Sequence, residues 1–166
     1  MVLSDQIVIM HKGRVQQIGN AVGIYRRPAN RFVADFIGRA NFLPVDVLGK
    51  SDGGSEDKYR VRLQGITLDA PAAESVLPGR PAVLLVRPES LRLSTQPSTQ
   101  QAGDGVLQAT VLRTSYLGSL AEYEIELAGQ RLVVVRHDPG EADLYAPGTA
   151  VYVHLLHDNI YLLPAA

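Results

Sequence analysis

The chain has 166 residues and no cysteine, which excludes disulfide frameworks, thiolate metal sites and cysteine nucleophiles. It lacks any run approaching the ~20 apolar residues that a membrane-spanning helix needs. Met1-Val2-Leu3-Ser4 carries no signal-peptide pattern, so a soluble, cytoplasmic protein is expected. Neither sign of charge is in excess: 16 Lys and Arg stand against 17 Asp and Glu, a net charge of -1. Without a basic stripe, nucleic acid is not expected as a partner. A chain of this length buries about two-thirds of its unfolded surface, enough for one good core or two small ones.

The patterns of catalysis are also missing. A nucleotide-hydrolysing site needs a glycine-rich loop for the phosphates, a lysine and a hydroxyl for magnesium. Gly49-Lys50-Ser51 ends like such a loop, but Pro44 stands where the pattern requires glycine, and Asp52-Gly53-Gly54 makes a turn where a helix should start. No apolar strand ends in Asp-Glu to hold magnesium. His154, His157, Asp158 and the pair His137-Asp138 are of metal-ligating type. On a strand, however, positions 154 and 157 point to opposite faces and no third ligand matches them, so they read as loop or surface residues. No serine sits in a nucleophile elbow. This chain alone is expected to be no enzyme, with no catalytic, cofactor-binding or metal residue.

What is present begins with two short β-prone runs, Ile7 to Met10 and Val15 to Ile18, around His11-Lys12-Gly13-Arg14. They predict a hairpin. Asn20 is placed to cap a helical turn through Tyr25, ended by Pro28, and Asn30 to cap a second helix. In that helix Phe32, Val33, Phe36 and Ile37 form one apolar stripe, with Gly38 as a left-handed stop.

From Asn41 the period changes from helical to two-residue. Tyr59-Arg60-Val61-Arg62-Leu63 and Tyr123-Glu124-Ile125-Glu126-Leu127 alternate as strands with one wet face. Val83-Leu84-Leu85-Val86, Val133-Val134-Val135 and Val151-Tyr152-Val153 are unbroken apolar runs, expected to be covered on both sides. Turns fall at residues 51–55, Pro78-Gly79, Ala128-Gly129 and Pro147-Gly148. Residues 94–105 are polar and of low complexity, which predicts a flexible loop between two strand groups. Short strands at this spacing predict a mainly β protein built as a small barrel.

The succession from Ser4 through Gly38 closely resembles the C-terminal edge of the nucleotide-binding domain in ABC importers of the maltose, iron and polyamine type. Leu85-Val86-Arg87-Pro88-Glu89 and Tyr116-Leu117-Gly118-Ser119 are similar to phrases of the TOBE (transport-associated OB) module of the same family. The resemblance covers nearly the whole chain. It implies residues 1–40 as the end of a nucleotide-binding domain and residues 41–166 as a TOBE regulatory domain, an OB-fold-like barrel. It further implies a homodimer, transmembrane permease subunits as partners, and a place on the cytoplasmic side of the inner membrane. ATP and magnesium would belong to the full-length parent, with its switch histidine upstream of Met1. Leu120-Ala121-Glu122-Tyr123 leans toward the polyamine-type relatives.

Arg87, Pro88, Glu89, Tyr116, Leu117, Gly118 and Ser119 read first as shapers of the barrel. Pro88 cannot donate to a ladder and should end its strand at Arg87. Glu89 is placed to pair with Arg87 or Arg92, and Gly118 to make a tight turn. The alternative function is a stand-alone OB domain that senses a small oxyanion or metabolite, as related barrels in molybdate proteins do.

Overall fold

The computed structural model describes residues 5–51, 58–96, 106–156 and 159–165. β1 (Ile7–His11) and β2 (Arg14–Gly19) form the expected hairpin. Lys12 and Gly13, with φ of 48° and 74°, make the left-handed two-residue turn that matches the strand twist. Val8 faces Ile18 and Met10 faces Val15 across the ladder. All four are exposed on the outer side of this ribbon.

α1 (Ala21–Arg26) and α2 (Arg31–Ile37) start where the caps were expected. The Asn20 and Asn30 side chains accept from the Gly23 and Val33 amides at 2.7 and 3.0 Å. Ile9, Ile24 and Val33 form a small buried cluster, with Ile7, Phe32 and Ile37 packed against it. Two expectations fail here. Phe36 leaves the stripe and is 65% exposed, stacked on Phe32 with centroids 5.8 Å apart. Gly38 has φ of 177°, an extended conformation, so the end of α2 is capped by a distant side chain and not by a left-handed residue.

The rest is mainly β. β3 (Asn41–Lys50), β4 (Lys58–Leu63), β5 (Ile66–Pro71), β6 (Ala82–Val86) and β12 (Ile160–Pro164) form one curled sheet in the order β12-β6-β3-β4-β5. The sheet meets itself: Ala72, just past β5, bridges Leu162 of β12, and the Ala73 amide donates to the Leu162 carbonyl at 2.9 Å. Between two neighbours in this ring, all five residues of β6 are buried, as its unbroken apolar run predicts.

The second sheet contains β7 (Leu91–Ser94), β8 (Val106–Tyr116), β9 (Leu120–Leu127), β10 (Gln130–His137) and β11 (Ala150–Leu155), in the order β10-β9-β8-β11-β7. Its edges, β10 and β7, do not pair with each other. Side chains reach the edges instead. The Asn41 amide donates to the Val133 carbonyl and accepts from the Val133 N–H, both at 2.8 Å. The Tyr145 hydroxyl donates to the Leu93 carbonyl at 3.2 Å. Because β10 is an edge, Val134 alone of the run 133–135 is fully buried, against the expectation of cover on both sides.

The chain passes from the first sheet to the second after β6 and returns at β12. The two sheets share one apolar core, with Leu43, Leu84 and Leu162 from the first and Tyr123, Ile125 and Val151 from the second. Of the loop expected at 94–105, residues 97–105 lie outside the described residues, as do 52–55 of the expected turn at 51–55.

Candidate functional site, the junction at Arg87

Pro88 has no N–H to offer a ladder, and β6 ends two residues before it. Pro88–Ser90 form a 3-10 turn with Pro88 at its first position. The turn aims Arg87 at the α1–α2 unit, where it is 4% exposed. Its Nη1 donates to the carbonyls of Ala34, Gly38 and Arg39 at 2.9, 2.9 and 3.1 Å. Its Nη2 donates to the Tyr25 carbonyl at 3.0 Å, and the guanidinium lies 4.1 Å from the centroid of the Tyr25 ring. These bonds supply the end of α2 with the donors it otherwise lacks, since its last turn carries no basic residue. Arg87 thus fastens the N-terminal unit to the first barrel.

Glu89 does not pair with Arg87 or Arg92, because the Arg87 fork is already engaged by carbonyls. It accepts instead from the Tyr25 hydroxyl. Burial, the Glu89 hydrogen bond and the Glu89 charge push the Tyr25 pKa up to about 12. Burial pulls the Arg87 pKa below its usual value, opposed by Tyr25, Glu89 and Asp35. Beside this node lies a cavity of about 280 Å³, lined by α1, the first barrel and the 3-10 turn.

Tyr116, Leu117, Gly118 and Ser119 occupy the tip of the β8–β9 hairpin. Gly118 takes φ of 79°, which lets the chain reverse. The Leu117 amide donates to the Leu120 carbonyl, and the Ser119 carbonyl accepts from the Asp138 amide, each at 2.9 Å. Tyr116 and Leu117 are 59% and 63% exposed. Among the described residues no hydrogen bond joins this tip to the Arg87 node, so the two signatures are separate features.

The histidines remain apart. His154 Nε2 lies 2.8 Å from the Ser94 hydroxyl, and His137 is exposed at the end of β10. His157 and Asp158 lie outside the described residues. Among the described residues no three His, Asp or Glu gather as metal ligands, and no helix is long and apolar enough to cross a membrane. Gly49 and Lys50 end β3, and the Ser51 hydroxyl donates to Asp69 at 2.6 Å. Gly49 and Lys50 are strand, and residues 52–57, where the helix of a phosphate loop would start, lie outside the described residues.

Sequence reasoning missed Tyr25 and Asn41. Tyr25 follows a helix cap and gives no hint of a partner 64 positions away. Asn41 opens an apolar strand and is itself 5% exposed; a polar residue at a core position is the one signal that could have drawn attention to it.

This architecture, two curled five-stranded sheets with a few short helices, is an OB-like fold. Its likeness to the solved structure of the cytoplasmic molybdate-binding protein ModG has a TM-score of 0.62 at 20% identity, covering 75% of this chain and 96% of that one. The TOBE domain family matches residues 84–163. Over most of its length the chain is homologous to ATP-binding subunits of importers. It is 38% identical over 157 residues to the spermidine/putrescine import ATP-binding protein PotA of Rubrobacter xylanophilus, covering 92% of this chain and 39% of that protein. PotA 1 of Pseudomonas aeruginosa is 35% identical over 163 residues, covering 98% and 42%. The Fe(3+) ions import ATP-binding protein FbpC of Brucella suis is 37% identical over 135 residues, covering 81% and 35%. The chain therefore spans about two-fifths of the length of these curated relatives.

Proposed function

We propose that this chain is the C-terminal regulatory and dimerisation part of the ATP-binding subunit of an importer. Residues 1–40 would close a nucleotide-binding domain whose phosphate-binding machinery lies outside this sequence, and residues 41–166 would be the TOBE domain. The observation that carries this reading is the β1–β2 ribbon. Its inner face packs on α1 and α2, while Val8, Met10, Val15 and Ile18 stand bare on the other. A ribbon apolar on both faces is built to be covered twice, and the second cover is the rest of the nucleotide-binding domain. Homology over 92% of the chain to an import ATP-binding protein supports it, since that span extends well before the TOBE match.

The role is mechanical. Two paired regulatory domains keep two ATPase domains at high effective concentration, so they close on ATP and reopen after hydrolysis without separating. The Arg87 fastening would make the TOBE barrel follow the ATPase domain as a rigid attachment. ATP, magnesium and the permease subunits belong to the assembled transporter, on the cytoplasmic side of the inner membrane. The names of the relatives favour a polyamine such as spermidine or putrescine as cargo, with ferric iron next. Sequencing the reading frame upstream of the Met1 codon tests the reading. A phosphate loop, an ABC signature and a switch histidine in frame are expected, and an in-frame stop directly before Met1 contradicts them.

A second reading, a small-ligand sensor, is favoured by one observation. The fold is shared with a protein described as molybdate-binding. Saturable binding of an oxyanion by the chain is its test, and the absence of any such binding defeats it.

A further inference from the structure

The cavity beside Arg87 holds an excess of positive charge, two of whose three guanidiniums, those of Arg26 and Arg27, make no hydrogen bond among the described residues. Among the described residues Arg26, Arg27 and Arg87 line it, against the carboxylate of Glu89. None of these arginines makes an ion pair among the described residues. Glu89 already accepts the Tyr25 hydroxyl.

Arginines at the end of a helix usually serve its open carbonyls, but here others do that work. The Gly23 carbonyl accepts the Arg27 amide at 2.8 Å. The Tyr25 carbonyl accepts Arg87 Nη2 at 3.0 Å, and the Arg27 carbonyl accepts Gln17 Nε2 at 2.9 Å. Among the described residues the Arg26 and Arg27 guanidiniums keep all their donors, at the rim of a cavity whose inner wall carries a third, buried guanidinium. Ser90, Asn159 and Tyr161 also line it.

We infer that this cavity between α1 and the first barrel binds a small multivalent oxyanion, with Arg26 and Arg27 as its direct ligands and Arg87 as a buried source of positive potential. The planar guanidinium fork matches the edge of a tetrahedral or carboxylate anion. Low-dielectric walls strengthen that attraction. A volume of about 280 Å³ corresponds to about nine waters, room for a tetrahedral anion with part of its hydration. It sits at the small end of ligand pockets, roughly 300–1,000 Å³, which suits an inorganic oxyanion or a short dicarboxylate. An anion held there touches both α1 and the barrel, so its binding would tighten the joint that Arg87 makes.

The inference rests on the sensing reading and deepens it by naming the site. Isothermal titration calorimetry with inorganic phosphate, sulfate and molybdate tests it, on the unaltered chain, on Arg26→Gln with Arg27→Gln, and on Arg92→Ala, which borders a different cavity. Neither Arg26 nor Arg27 uses its side chain in a hydrogen bond among the described residues, so the double variant should keep its fold by circular dichroism. Saturable binding by the unaltered chain and Arg92→Ala, weakened at least about tenfold in the double variant, is expected from the loss of charge-assisted bonds. Equal binding by the double variant overturns this site and leaves sensing intact. No saturable binding of any of the three anions overturns both.

Discussion

The N-terminal unit and the two curled sheets solve the same problem with unequal means. The sheets share one large apolar core. The N-terminal unit's own cluster has three buried residues, Ile9, Ile24 and Val33, and its two helices of six and seven residues are far too short to stand in water alone. It keeps its place through Ala34, which packs into the large core, and through polar contacts centred on Arg87, and it turns a second apolar face outward. A unit so small and so two-sided depends on what it packs against, in contrast to the two sheets, which bury a large core of their own.

Four substitutions and one titration probe that contrast. Leu84→Ala, at a site with no exposure in the middle of β6, should cost about 2–5 kcal/mol and lower the denaturation midpoint of the whole chain. Arg87→Ala leaves four carbonyls without their donor and should cost about 3 kcal/mol. Its effect should be local: trypsin should cut after Arg26 and Arg31 faster while the two sheets stay protected. Asn41→Ala strips both partners from Val133 and should cost about 1–3 kcal/mol, seen as faster amide exchange along β10. It would show that the second barrel depends on a side chain from the first.

The smaller effects concern the joint and the surface. Because the folded pKa of Tyr25 is raised from 10.0 to about 12, the folded chain holds that proton more tightly than the unfolded one. The stability linked to it is complete below about pH 10 and lost as the pH rises through about 12. A tyrosinate absorbance titration compared with Tyr25→Phe measures this, and ionisation near 10 would remove the Glu89 contact from the account. Leu117→Ser, at the exposed hairpin tip, should change stability by no more than about 0.5 kcal/mol. A lower dimer fraction in sedimentation equilibrium would then assign that tip to subunit contact.

Local features of the fold were legible in the sequence. Both asparagine caps, the hairpin at Lys12-Gly13, the alternation of 59–63 and 123–127, and the burial of β6 follow from short-range rules. What depended on distant partners was not. Phe36 matched the helical stripe, yet it is 65% exposed, with Phe32 stacked on it. Gly38 looked like a stop, yet the cap comes from a side chain 49 positions later. Val133 to Val135 had the composition of a central strand and lies on an edge, because sheet order is set by topology. At the candidate site, the importance of the Arg87-Pro88-Glu89 phrase came from family resemblance. Its physical role, a guanidinium serving a helix end, needed Tyr25 and α2 in place.

The claim that matters most is that Arg87 joins a weakly self-supporting unit to the two-sheet core. Amide hydrogen exchange, followed peptide by peptide on the unaltered chain and on Arg87→Ala, measures it directly. The account predicts that amides of α1 and α2 exchange before those of β6 and β9, and that the substitution accelerates the helices while leaving both strands unchanged. Equal protection of helices and strands, or acceleration spread evenly over the chain, would contradict it.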